Sequence, residues 1–200
     1  MQKPILIFAF DVEARGKSPS LHGILAVGAV AGLIDGTIIA KRMWNVKPLR
    51  ATQHYEQRYL DEFWSKNENL KNALENNAVE ALIFANEFRL WLNSLEERYT
   101  LYLASDNPTF DAGFINYYLD YFMYDSIQYG SDGKSYRLVH DTDSYARGVI
   151  HAPFTKQWIM DEEVIKELDI TTKTYPTGPA HYPDNDAEKI YWMHCAVVKR

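Results

Sequence analysis

Three short motifs in this sequence place acidic residues and one histidine where they could act together. The first is Asp11-Val-Glu13, which follows an apolar run at residues 5–10. Side chains two positions apart on a strand point to the same face, so both carboxylates would face one spot. Two anions at the end of an apolar strand repel each other unless a cation lies between them. The motif therefore favours a cation site, with an ordinary exposed strand end as the alternative.

The second motif is Asn107-Pro-Thr-Phe-Asp111, at a predicted junction between a strand and a helix. Thr109 is the expected N-cap, which places Asp111 in the first helical turn, where negative charge is favoured. Because aspartate is common in capping turns, a purely structural role for Asp111 stays open. Asp106 is close to Asp111 in sequence, but we expect its side chain to point away.

The third motif runs from His181 to Asp186 and opens the last predicted helix. Pro183 suits the first turn of that helix, which leaves His181 on the preceding loop and Asp186 inside the helix. Both side chains can then reach one cleft. Asp184 competes with Asp186 for this role, and the spacing alone is weak evidence in a chain with 6 His and 27 acidic residues.

Composition limits the classes of protein that these motifs can serve. At 200 residues, with 46% hydrophobic and 24% charged residues, the chain is expected to form a single globular domain over 1–200. Its net charge of −6 excludes a broad basic surface for nucleic acid. Cations held by carboxylates, or stacking on some of the 9 Phe, 5 Trp and 14 Tyr residues, would have to attract such a partner.

Two further features concern the location of the protein. Cys195 is the only cysteine, which excludes an intrachain disulfide and a cysteine-cluster metal site and favours a small buried side chain. The apolar run at residues 5–10 is too short for a signal peptide or a membrane span. We therefore expect a cytoplasmic protein that has no membrane partner.

The hydrophobic pattern predicts the elements that must position the motifs. Predicted strands cover residues 5–10, 23–33, 37–46, 100–104 and 136–140. Predicted helices cover 77–95, 109–124, 141 or 142 to 147, 161–168 and 184–198, with loops at 126–135 and 171–183. Asp35-Gly36 is a hairpin signal, so the first three strands form an antiparallel meander. The order of elements predicts an α/β fold with a mixed five-stranded sheet flanked by helices.

The remaining candidates for chemistry have simpler explanations. Asp141 and Asp143 follow His140 at a predicted helix start, where capping accounts for them better than metal binding. The other histidines lack partners at ligand spacing and are expected to be structural or solvated; they are His22, His54, His151 and His194.

The order of the three motifs resembles that of the DEDDh exonucleases, the superfamily of ribonuclease T and the proofreading exonucleases. The resemblance spans nearly the whole chain, and Phe10, Gly16 and Asp141-Thr142 support it. Ala14-Arg15 stands where the family usually has Thr-Thr, and Tyr182-Pro183 stands where it has small and apolar residues. The resemblance implies a ribonuclease-H-like fold and a 3′–5′ exonuclease that releases nucleoside 5′-monophosphates from single-stranded or frayed ends.

The resemblance also implies two Mg²⁺ or Mn²⁺ ions per active site. Asp11 would bridge both ions, Glu13 and Asp186 would complete the first site, and Asp111 would hold the second. His181 would be the general base that takes a proton from the attacking water. The alternatives are a nucleic-acid-binding module of the same fold with weak catalysis and a nuclease that cuts internally.

Expected substrate contacts also come from the resemblance. Backbone groups at Ala14 and Arg15 would meet the terminal 3′-hydroxyl, and the Arg15 and Lys17 side chains would neutralise a phosphate. Asn107 and Phe110 are the other expected contacts, with core packing as the alternative for Phe110. The sequence leaves open whether the substrate is RNA or DNA, and whether the protein is a monomer or a homodimer.

Overall fold

A computed structural model describes residues 3–150, 166 and 178–199. This part of the chain contains one five-stranded sheet, in the order β3-β2-β1-β4-β5. The strands are β1 (Ile5–Ala14), β2 (Ile24–Leu33), β3 (Ile38–Asn45), β4 (Thr100–Ser105) and β5 (Val139–Asp141). β2 is antiparallel to β1 and β3, whereas β4 is parallel to β1 and β5. The predicted mixed sheet, with its antiparallel meander, is confirmed.

Helices cover both faces of the sheet. They are α1 (Gln57–Glu62), α2 (Glu68–Glu75), α3 (Ala81–Glu96), α4 (Pro108–Met123), α5 (Thr142–Val149) and α6 (Pro183–Val198). Phe8 and Phe10 of β1 share one core with α3 and α4, while Ile7 and Ala9 share another with α6. Burial on both faces explains why β1 begins with an uninterrupted apolar run. Within the described residues, no helix is both long and apolar enough to cross a bilayer.

Several strand and helix boundaries differ from the predictions, three of them by three or four residues. β1 continues to Ala14 because residues 11–14 still pair with β2, so the first motif lies inside the strand and not after it. β5 covers only three residues, and Tyr136 instead forms an isolated bridge with Tyr129. α3 begins at Ala81, since Asn77 has a φ of 54° and Val79 bridges to Val46.

The helices that carry the motifs begin slightly earlier than predicted. α4 starts at Pro108 with Asn107 in the N-cap position, so the assignment of Thr109 as the cap is wrong. Proline at the first helical position loses no hydrogen bond there. Asp111 still lies in the first turn, and α6 starts at Pro183. The predicted helix at 161–168, apart from residue 166, and the predicted loop at 171–177 lie outside the described residues.

Candidate active site

Three aspartates converge at the carboxyl ends of the central strands. Asp11 lies on β1, Asp106 directly follows β4, and Asp111 lies in the first turn of α4. One carboxylate oxygen from each lies within 4.8 Å of the others. The convergence follows from the parallel pairing of β1 with β4, which places their carboxyl ends side by side. The expectation that Asp106 points away is therefore wrong.

A second group, next to the first, contains Glu13, His181 and Asp186, whose ligand atoms also lie within 4.8 Å of one another. His181 Nδ1 lies 3.3 Å from Glu13 Oε1. The backbone N–H of His181 donates to Asp186 Oδ2 at 2.6 Å, and Lys189 Nζ donates to Oδ1 at 3.1 Å. Asp184 forms an ion pair with Lys41 at 3.2 Å instead. Of the two competing aspartates, the structure thus brings Asp186 to the histidine.

The position of α6 depends on a glycine in β2. Gly28 pairs with Asp11 across the sheet. A Cβ atom at Gly28 would lie 2.0 Å from the carbonyl carbon of Pro183 and 2.1 Å from the nitrogen of Asp184. Only a residue without a side chain leaves room for this approach. The first turn of α6, which carries Asp186, therefore rests on the backbone next to Asp11.

Asp111 is held in place from both sides. The Ser105 hydroxyl donates a short hydrogen bond to Oδ2, and the backbone N–H of Val12 donates to Oδ1 at 3.2 Å. The N–H of Asn107 donates to Ser105 Oγ at 3.0 Å, which fixes the hydroxyl in turn. With only 2% of its surface exposed, Asp111 is a rigid part of the group.

The aspartates are electrostatically strained in the absence of a cation. Burial raises the pKa of Asp11 and of Asp111 well above the usual range, and neighbouring carboxylates raise both further. Burial, followed by the charge of Asp186, raises the pKa of Asp106 to about 6. Clustered carboxylate oxygens are the ligands that Mg²⁺ and Mn²⁺ prefer, so the residues present fit such ions.

His181 differs from these acids because its charged form is stabilised. The hydrogen bond to Glu13 raises the pKa of His181, although its partial burial acts in the opposite direction. The residue lies just before α6 and has a φ of 64°, in the left-handed region. Its ring also meets that of Phe63 edge to face, with 4.7 Å between the ring centroids.

A cleft of about 420 Å³ opens beside His181 and Glu13. Its walls are Val12, Glu13, Ala14, Arg58, Tyr59, Glu62, Phe63, Trp64, Phe110 and His181. One wall thus comes from α1 and the turn after it, and no sequence motif connects these residues with the site. Residues 50–76 are polar and weakly periodic, so no sequence signal shows which of their side chains face the motifs.

Three of the expected substrate contacts lie in or beside the candidate site. Ala14 and Phe110 line the cleft, and Phe110 also packs against Phe114 with ring centroids 4.7 Å apart. Asn107, next to Asp106, occupies the N-cap position of α4. These positions are compatible with substrate contact.

The structure contradicts the predicted substrate contacts of Arg15. Arg15 is 5% exposed, and its guanidinium donates to the carbonyl oxygen of Ile24 at 2.9 Å and pairs with Glu75 at 3.0 Å. Its backbone N–H donates to the carbonyl oxygen of Gly23 at 2.9 Å. Because both groups already have partners inside the protein, Arg15 does not offer the predicted contacts to a phosphate or a 3′-hydroxyl. Lys17 remains exposed and pairs with Glu56 at 3.2 Å.

No protein-family model matches this chain, and no curated protein matches it. Among solved structures, it is similar to a zinc-bound complex of E. coli exonuclease I with single-stranded DNA, at 15% identity and a TM-score of 0.69, covering 100% of this chain and 41% of that one. It is also similar to a product-bound exonuclease I, at 14% identity and a TM-score of 0.68, covering 100% of this chain and 44% of that one. The similarity to exonuclease I from Methylocaldum szegediense has 13% identity and a TM-score of 0.66, covering 98% of this chain and 41% of that one.

These similarities show the fold. The mixed sheet with its flanking helices matches that of the nuclease fold of exonuclease I, which confirms the predicted ribonuclease-H-like class. The chain spans less than half the length of these exonuclease I chains.

Proposed function

We propose that this chain is a metal-dependent 3′–5′ exonuclease domain of the DEDDh type, which releases nucleoside 5′-monophosphates from single-stranded or frayed ends. The observation that carries the proposal is the meeting of the three motifs at one place in an exonuclease-like fold. Two similar structures are complexes of exonuclease I with single-stranded DNA or an oligonucleotide, which favours single-stranded DNA as the substrate.

Four motif carboxylates would hold two Mg²⁺ or Mn²⁺ ions. Asp11 would be a ligand of both ions, Glu13 and Asp186 would hold one of them, and Asp111 would hold the other. When bound, such ions supply charge relief on the phosphate oxygens and an acidified water. The carboxylates thereby let a chain with a net charge of −6 bind a polyanion locally.

His181 is the proposed general base. It lines the cleft, is half exposed, and has its Nδ1 fixed by Glu13 at 3.3 Å. A base at this edge can accept the proton of a water that attacks the terminal phosphodiester. The raised pKa of His181 strengthens it as a proton acceptor, and its neutral form, which performs the reaction, gains population as the pH rises.

The cleft is the proposed site of the terminal nucleotide. Its volume of about 420 Å³ lies within the range of small-molecule sites. Phe63, Tyr59 and Phe110 offer aromatic surfaces on which a base can stack. Arg58 lines the same wall, and its Nε lies 2.9 Å from Glu62 Oε2. We propose that Arg58, in place of Arg15, neutralises the charge of a substrate phosphate.

The test is digestion of matched DNA and RNA oligonucleotides with Mg²⁺, with Mn²⁺ and with a chelator. A 5′-labelled substrate should shorten one nucleotide at a time, and a 3′-labelled substrate should release labelled mononucleotide at once. Asp111→Asn should abolish both products, whereas Asp120→Asn, exposed on the same helix, should cleave normally. Internal fragments, or binding without any cleavage, would overturn the proposal in favour of an endonuclease or a binding module.

A further inference from the structure

Asp106 is a carboxylate that the motif set does not include. It lies between β4 and α4, and one of its carboxylate oxygens is within 4.8 Å of oxygens from both Asp11 and Asp111. The charge of Asp186 also acts on it, so Asp106 lies close to both groups of the site.

The three aspartates have no cationic partner among the described residues. No ion pair involves Asp11, Asp106 or Asp111 in this part of the chain, whereas Asp186 contacts Lys189 and Glu13 contacts His181. Asp111 is bound only by neutral donors, from Ser105 and Val12. Adjacent buried carboxylates are costly when ionised unless a positive charge lies among them.

We infer that Asp106 is a further ligand of the cation that Asp11 and Asp111 hold, so that the site uses five carboxylates instead of four. The inference rests on the proposed function, because it concerns the same metal site. Extra ligand charge is one of the means by which proteins strengthen the binding of hard divalent cations. Asp106 would therefore make this position bind its cation more tightly.

The structural alternative is that Asp106 only stabilises the turn between β4 and α4. The backbone N–H groups of Asp106 and Asn107 lie close enough to its carboxylate to oppose the rise in its pKa. A residue with only that structural role stabilises the fold and leaves cation binding unchanged. A cation ligand behaves differently. Its removal relieves repulsion in the metal-free protein, which is not destabilised, and weakens cation binding.

The experiment is a calorimetric titration of the full chain with Mn²⁺, together with thermal unfolding of the metal-free protein. Asp106→Asn should weaken one Mn²⁺ site by about tenfold or more, while its metal-free Tm stays equal to or above that of the unmodified protein. Asp120→Asn should change neither quantity. Unchanged Mn²⁺ affinities together with a lower Tm would overturn the inference and leave Asp106 with a structural role only.

Asp111→Asn, titrated in parallel, separates this inference from the proposed function. If Asp111→Asn loses a Mn²⁺ site and Asp106→Asn keeps the affinity of the unmodified protein, the inference fails and the proposed function stands. If the unmodified protein binds no Mn²⁺, both fail.

Discussion

Gly28 of β2 lies directly against the backbone of Pro183, the first residue of α6. This contact sets the distance between the strand pair that carries Asp11 and the helix that carries Asp186. No side chain can occupy the space between them, because a Cβ would lie about 2 Å from backbone atoms.

Gly28→Ala should therefore push the first turn of α6 away from the sheet. We expect a loss of about 1–3 kcal/mol in the free energy of unfolding, the usual cost of overpacking. We also expect a fall in nuclease rate, since Asp186 moves with the turn. Urea unfolding and oligonucleotide digestion measure the two effects. Gly113→Ala is the matched control, because a Cβ there has no neighbour within 4 Å. Equal stability and activity of the two variants would show that the close approach at Gly28 does not position α6.

His181→Ala should lower the turnover number by about 10²–10⁴-fold, because the attacking water loses its proton acceptor. Calorimetric titration with Mn²⁺ should still show binding, since the carboxylates supply the ligands. His54→Ala, at an exposed position, should retain full activity. A variant that loses its Mn²⁺ affinity along with its activity would make His181 a metal ligand and not a base.

Asp11→Asn should stabilise the metal-free protein in a pH-dependent manner. Folding raises the pKa of Asp11 above its unfolded value of about 3.9, so the folded state holds the proton more tightly. The resulting stabilisation is complete below the unfolded pKa and is lost as the pH rises through the folded pKa. The gain in Tm from Asp11→Asn should thus be larger at pH 8 than at pH 4.

Thermal unfolding with and without Mn²⁺ checks this prediction. Saturating Mn²⁺ should stabilise the unmodified protein and cancel the advantage of Asp11→Asn, because a ligand that binds only the native state raises stability. An advantage that does not vary with pH would show that ionisation of Asp11 is not its cause.

Arg15→Ala should lower stability and leave the KM for oligonucleotides unchanged. The guanidinium contacts Ile24 and Glu75 inside the protein, and hydrogen bonds of charged groups contribute about 1.5–3 kcal/mol each when lost. Chemical unfolding and steady-state kinetics measure the two quantities. Lys17→Ala, whose side chain is exposed, is the control for stability. A large rise in KM with normal stability would restore Arg15 as a phosphate contact.

The sheet and the helix that opens with the third motif could be predicted because their signals are local. The apolar run before Asp11 and the two-residue period of a strand suffice to put Asp11 and Glu13 at one place. Pro183 similarly marks the start of α6, which puts Asp186 in its first turn.

Other parts of the site depend on contacts between distant segments and could not be predicted. Asp106 follows the last strand residue, and the backbone that turns into α4 decides its direction. Arg15 is buried because Glu75 and Tyr55 meet it, and both belong to a stretch without clear periodicity. The same stretch brings Phe63 to His181.

The proposed active site draws on segments 11–13, 105–111 and 181–186, which lie far apart along the chain. A polypeptide still on the ribosome that has grown only to residue 150 contains Asp11 and Asp111 but neither His181 nor Asp186. Such a nascent chain lacks the proposed general base, His181, and the proposed metal ligand Asp186. The proposed enzyme therefore cannot attack nucleic acid near its own translation machinery until residue 186 has been synthesised.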